Sequence, residues 1–218
     1  MPGVDPRLPQ SYRVDPEMPV DERTHEIEAA LVGHWSHLGR WPPGALIDEN
    51  GVLRYETPIP HLPYNGVIRT EIADGDPEGT IADVVGSFER RSAPFLWWQH
   101  PSCRPGDLGR RLERHGLIAV ERVSGMSLEL DGWVAPALPG DVEFVEALDT
   151  RTLDAYEELI VRYWELPTDA QEMVSSLNRF WGPGRSNVHR WVAYSGGRPV
   201  GRPFSRCPRR TALPPCTA

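Results

Sequence analysis

The strongest constraint on the fold is a hairpin that starts and then loses its grammar. His189-Arg190-Trp191-Val192-Ala193-Tyr194 reads as a strand, Ser195-Gly196-Gly197-Arg198 as a tight turn, and Pro199-Val200-Gly201 as the start of a return strand. From Arg202 to Ala218 there is no acidic residue and no apolar period, and there are four prolines. A proline removes a backbone donor and fixes φ, so no element is expected to propagate through residues 202–218. That stretch is read as a disordered tail, and its Arg, Pro, Ala, Cys and Thr content as an out-of-frame or otherwise altered ending, the alternative being a natural short chain with a disordered tail.

Bulk properties narrow the class. A chain of 218 residues suits one large domain or two small ones, and 39% hydrophobic with 25% charged residues is an ordinary globular balance. The net charge of -8 argues against a nucleic-acid partner; only the Arg-rich tail favours one. All 23 basic residues are Arg, which with 23 Pro and 20 Gly points to GC-rich coding DNA. Cys103, Cys207 and Cys216 are too scattered for a disulfide framework. With no basic-then-apolar leader and no long apolar run, the expectation is a cytoplasmic chain without a membrane span.

Residues 1–19 carry five prolines and are expected to form an irregular arm. A helix is predicted from Asp21, with Ile27, Ala30, Leu31, His34, Trp35 and Leu38 on one face and Gly39 as the stop. Asn50-Gly51 signals a hairpin between apolar segments at 45–47 and 52–55. An alternating strand follows at 67–72. Asp76-Pro77-Glu78 then starts a helix, with Asp as N-cap, Pro at the first position and an acid in the first turn. Ile81, Val84, Val85 and Phe88 give that helix its buried face.

Residues 95–98 read as a short strand and 107–115 as a helix closed by Gly116. Two further strands are predicted at 117–123 and 126–130. Residues 132–140 read as a linker. A second unit, 141–201, opens with a strand at 142–145 and helices at 152–166 and 169–181. Leu153, Tyr156, Leu159, Ile160, Tyr163 and Trp164 line one face of the first of these helices.

This order of elements resembles the GNAT superfamily of N-acetyltransferases, in tandem. The first copy, residues 20–131, is similar to a degenerate family domain. Leu112-Glu113-Arg114-His115-Gly116-Leu117 resembles the family's short helix running into Gly. Phe95-Leu96-Trp97-Trp98, Pro101-Ser102, Asp107-Leu108-Gly109 and Gly125-Met126 resemble the N-terminal domain of two-domain members. Residues 141–201 resemble the opening half of a second domain, truncated before its cofactor motif; Tyr163-Trp164-Glu165-Leu166-Pro167 fits the approach to its second helix. The resemblance implies an α/β fold with a mixed, mostly antiparallel sheet and flanking helices. In intact relatives it implies acetyl transfer from acetyl-coenzyme A to a small-molecule amine.

The family's cofactor signature is Gln or Arg, two residues, Gly, one residue, then Gly or Ala. It offers backbone N–H groups and a helix N-terminus to a pyrophosphate. The corresponding slot, residues 73–79, lacks that spacing, and Asp74, Asp76 and Glu78 bring negative charge to it. A helix N-terminus favours an anion by about 0.3–1 kcal/mol when exposed. A like charge about 4 Å away opposes it by about 4 kcal/mol in a surface cleft. The acids win, so acetyl-coenzyme A is not expected to bind this chain well. Leu112 stands where the family often places a Tyr general acid. No catalytic or cofactor-binding residue is assigned.

For the acceptor site of intact relatives, the resemblance implies Tyr163, Trp164 and Trp181. Large aromatics also fill cores and interfaces, and do so more often. His100, Cys103 and His115 have no metal-ligand spacing, and Ser102-Cys103 has no base at recognisable spacing. Arg110, Arg111 and Arg114 read as a solvated helix face. The reading is a GNAT-type acyltransferase by resemblance, inactive as this chain. The alternative is a non-catalytic small-molecule-binding or assembly module, with self-association through the incomplete second domain.

Overall fold

The computed structural model describes residues 21–72, 75–127, 132, 134, 137–182 and 188–206. The chain is mixed α/β, and its backbone contacts divide it into two units, Met1–Asp131 and Gly132–Ala218. The expected arm at 1–19 lies outside the described residues.

The first unit opens with helix α1 (Glu22–Gly39), whose first turn is capped by Asp21 accepting from the Thr24 N–H at 2.8 Å. Strands β1 (Ala45–Glu49) and β2 (Val52–Glu56) pair antiparallel, with Glu49 opposite Val52. Asn50 and Gly51 make the connecting turn with φ of 52° and 75°. Two successive positive φ values match the right-handed twist of the strands, which is why Asn-Gly serves there. Strand β3 (Gly66–Thr70) joins β2 antiparallel, with a bulge between Leu53 and Arg54.

Between β2 and β3, buried Asn65 fixes the loop. Its side chain accepts from the Thr57 N–H and donates to the Ile59 carbonyl, both at 2.8 Å. Tyr55, fully buried on β2, donates to the Pro63 carbonyl at 2.7 Å.

Helix α2 (Pro77–Arg90) crosses from β3 to β4 (Leu96–Trp97), which pairs parallel to β3; a parallel pair requires such a crossover. Val52, Val67, Ile81, Val84, Phe88, Leu108 and Leu112 pack as one core. Phe88 stacks on Phe95 with centroids 4.2 Å apart. Each such side chain contributes about 1.5–3 kcal/mol when fully buried. Helix α3 (Leu108–Arg114) closes at Gly116, with φ of 85°, where the Leu117 N–H reaches the Leu112 carbonyl. That is the left-handed C-terminal cap the sequence predicted.

Two expectations for this unit need correction. Residues 117–127 form no strand, although strands were expected over 117–123 and from 126; residues 128–130 lie outside the described set. Ile118, Val120, Val123 and Met126 are exposed. Alternating apolar residues favour a strand only where a neighbour supplies the ladder, and none pairs here among the described residues. On α1, Glu28 and Ser36 are buried while Ala30 is exposed, so the packed face is rotated from the apolar one.

The second unit contains β5 (Val142–Glu146), α4 (Thr150–Trp164), α5 (Thr168–Phe180), β6 (Val188–Ser195), β7 (Arg198–Gly201) and β8 (Phe204–Arg206). Strand β6 is central, antiparallel to β5 on one side and to β7 and β8 on the other. The α4 N-terminus is a capping box between Asp149 and Thr152. Tyr156, Leu159 and Ile160 of α4 are buried, as is Val192 of β6.

The third correction concerns the tail. The return strand does not stop at Gly201: Phe204–Arg206 pairs with β6, and the Pro203 carbonyl accepts from the Trp191 N–H at 2.9 Å. Proline lacks a donor, not an acceptor, so it sits in the ladder through its carbonyl. Residues 207–218 lie outside the described set.

The turn at Gly51 tests the hairpin. A Cβ there would stand 2.5 Å from the Glu71 carbonyl oxygen, at positive φ. Gly51→Ala is expected to cost about 1–3 kcal/mol, read as a lower urea midpoint with an unchanged slope.

Candidate functional site

Three side-chain clusters stand out. The first lies at the N-terminus of α2, the slot compared above with a pyrophosphate site. Asp76 accepts from the Gly79 N–H at 2.9 Å and is the N-cap. In the first turn of the helix, the Glu78 carboxylate is bonded by Arg111 Nη1 at 2.8 Å, Arg114 Nη2 at 2.5 Å and His115 Nε2 at 2.8 Å. These donors come from α3 and its C-terminal cap. Asp107 accepts from Arg111 Nε at 2.7 Å and holds that guanidinium in line.

Bonds from Arg114, then His115 and Arg111, hold the Glu78 carboxyl down at about 2. Arg111 and Arg114 are therefore not a plain solvated face, as the sequence suggested: they converge on an acid 33 and 36 residues earlier in the chain. Leu112, at the position compared with a general acid, is buried in the core. Asp74 lies outside the described residues.

The second cluster is the one the sequence did not foresee. Glu28, buried on α1, accepts from the Ser102 N–H at 3.1 Å and the Ser102 hydroxyl at 2.5 Å. His100 Nδ1 lies 3.1 Å from Oε1, the oxygen that also accepts from the Ser102 N–H, but outside hydrogen-bond geometry. The Ser102 hydroxyl bonds the carboxylate directly, so the order differs from a nucleophile–imidazole–acid relay. Cys103 beside them is buried, and that burial pushes its thiol up to about 11, far from a nucleophile's range. The cluster ties α1 to the loop after β4. Glu28 was hidden in the sequence because it falls off the apolar stripe of its helix; only its partners, more than seventy positions later, reveal it.

The third cluster contains the residues named from the resemblance. Tyr163 is 72% exposed near the end of α4 and meets Trp164 edge-on, with centroids 5.0 Å apart. Trp181 follows α5 and meets Phe180 edge-on at 4.8 Å. Two arginines link these places. Arg190 of β6 is buried and donates through Nη1 to the Trp181 carbonyl at 2.6 Å. Its guanidinium stands 5.9 Å from the Tyr156 ring centroid. Arg202 stands 5.8 Å from the same ring and 5.7 Å from the ring of Tyr163.

The arrangement is thus a ladder of alternating cations and aromatic faces, Arg190–Tyr156–Arg202–Tyr163, with Trp181 at its inner end and Trp164 beside its outer end. Each cation–π contact contributes about 0.5–1 kcal/mol when exposed and about 2 when desolvated. Burial pulls the Arg190 pKa down, because a desolvated cation is disfavoured. The sequence singled out the aromatic residues but missed Arg190 and Arg202, whose spacing along the strands carries no motif.

A separate open groove of about 620 Å³ runs along the opposite part of α4, lined by Thr150, Arg151, Asp154, Glu158, Tyr194 and Pro199. None of the residues named from the sequence lines it. Among the described residues, no group of three or more His, Cys, Asp or Glu is placed to hold a metal ion, and no helix is long and apolar enough to cross a membrane.

Comparison with known proteins finds no matching family model, no matching curated protein and no matching solved structure.

Two predictions follow from these contacts. Glu28→Ala leaves Ser102 and His100 facing a hole in a buried network and is expected to destabilise the chain by about 3 kcal/mol in urea unfolding. Glu28→Gln, which keeps an acceptor oxygen, is expected to cost less. For Glu78, the folded value of about 2 lies below the ordinary 4.5. Its contribution is therefore complete above pH 4.5 and is lost as pH falls toward 2. Acid unfolding of Glu78→Gln is expected to show a shallower fall across that window than the wild-type chain.

Proposed function

We propose that this chain derives from a tandem GNAT-type acyltransferase and acts as a non-catalytic small-molecule-binding module. The observation that carries the reading is Glu78. Two arginines and His115 converge on the first turn of α2, and the chain's own carboxylate sits among them. An internal anion held by charge-assisted bonds is present at full effective concentration, and a cofactor phosphate has to displace it.

A second observation supports the reading. After Trp98 the chain leaves the sheet, then returns: the Arg104 N–H reaches the Thr70 carbonyl at 2.8 Å, and the Ile72 N–H reaches the Arg104 carbonyl at 3.2 Å. A thioester held between two splayed strands needs free backbone donors there, and these are taken by the chain itself. Leu112, at the position compared with a general acid, is buried and has no proton to give.

Calorimetric titration of the full chain with acetyl-coenzyme A, together with a thiol-release assay, tests the proposal. No saturable heat and no thiol release are expected; a low-micromolar dissociation constant or turnover overturns it. Glu78→Ala frees Arg111, Arg114 and His115, and inorganic diphosphate is expected to bind this variant and not the wild-type chain, which calorimetry reads directly.

An assembly role is the second reading, favoured by exposed Ile118, Val120, Val123 and Met126. Sedimentation velocity over a concentration series separates it: a mass that rises with concentration supports self-association.

A further inference from the structure

The side of α4 that carries Tyr156 and Tyr163 holds two guanidinium groups. Among the described residues, no Asp or Glu lies within ion-pair distance of Arg190 or Arg202. Glu157, the acid next to Tyr156 in the chain, accepts from the Ser175 hydroxyl and acts on Arg190 only through its field. The Arg190 residue is only 6% exposed, and its guanidinium bonds the Trp181 carbonyl and the Tyr156 side chain.

A buried cation without an opposite charge is costly, and aromatic faces repay only part of that cost. One turn before Trp181 on α5, Asn178 is 5% exposed and its Nδ2 has no acceptor among the described residues. The same region therefore offers donors in excess from two elements. Access is provided at the outer end, where Tyr163 is 72% exposed and Arg202 is half-buried.

We propose that Arg202, backed by Arg190, receives the carboxylate of a small aromatic acid whose ring lies against Tyr163. The choice of a carboxylate follows from the planar guanidinium fork, which bonds it in a bidentate manner. The choice of a ring follows from the exposed phenol face, which offers a stacking surface at little entropic cost. A ligand in this place gives Arg202 a carboxylate partner and covers Tyr163. The inference rests on the binding-module reading, since it gives that module its ligand class.

The experiment uses the full chain and two probes of equal shape, benzoate and its neutral counterpart benzamide. Amide chemical shifts are followed by NMR during each titration. Benzoate is expected to shift the signals of Tyr163, Trp164 and Arg202 saturably. Benzamide is expected to bind at least about tenfold more weakly, the factor that one charge-assisted bond supplies. Arg202→Gln and Tyr163→Ala change partly or largely exposed side chains and keep the core; each is expected to weaken benzoate about tenfold without altering the far-ultraviolet circular dichroism.

Equal binding of benzoate and benzamide overturns the inference, as does a benzoate affinity unchanged in Arg202→Gln. Absence of any saturable shift at Tyr163 also overturns it. Acetyl-coenzyme A binding or turnover by the same sample sinks the non-catalytic reading instead, so the two failures are told apart by which titrant responds.

Discussion

The first unit depends on one short stretch of parallel backbone pairing. The Leu96 N–H reaches the Asn65 carbonyl at 3.1 Å, and the Trp98 N–H reaches the Val67 carbonyl at 2.9 Å. Arg104 then re-enters the same ladder beside Thr70 and Ile72. Parallel strands are joined only by a crossover, so this pairing places α2 over the sheet and buries Ile81, Val84 and Phe88 against Val52 and Val67. It also throws residues 98–103 out as a loop, which brings Ser102 and His100 to Glu28. It returns the chain to α3, whose arginines close on Glu78. Both polar clusters of this unit follow from it.

Electrostatics divides the two units in opposite ways. In the first, cations and carboxylates are matched within the chain: Glu78 with Arg111, Arg114 and His115, and Glu56 with Arg54 and Arg91. In the second, Arg190 and Arg202 rest on aromatic faces and carbonyl dipoles. A matched cluster has no need of an external anion, whereas a cation without an ion-pair partner among the described residues lowers the cost of binding one. That contrast is the physical ground for proposing a ligand at the second unit and not at the α2 N-terminus.

Local chemistry made much of the fold legible. Asp21, Asp76 and Asp149 each cap a helix because a short carboxylate reaches the free N–H groups of the first turn. Asn50-Gly51 and Gly196-Gly197 make the two hairpin turns because such pairs accept successive positive φ values. Where a partner decides the outcome, sequence reading fails. Residues 117–127 carry a strand's alternation yet find no ladder. Pro203, expected to end the second sheet, serves it through its carbonyl.

The sequence by itself determined the five helices of the described residues in their order, the Asp76 cap, the hairpin turns and the apolar face of α2, since these depend on neighbours within about one helical turn or one hairpin. It also named Tyr163, Trp164 and Trp181 from a resemblance. Only the tertiary structure decided what surrounds them. Glu28 meets Ser102 across 74 positions, Glu78 meets Arg114 across 36, and Arg202 meets Tyr163 through the sheet. Charges so far apart in the chain carry no spacing signal. Their pairing is fixed by the ladder and the packed core, which form from backbone and apolar groups and then leave each charge with the partners it can reach.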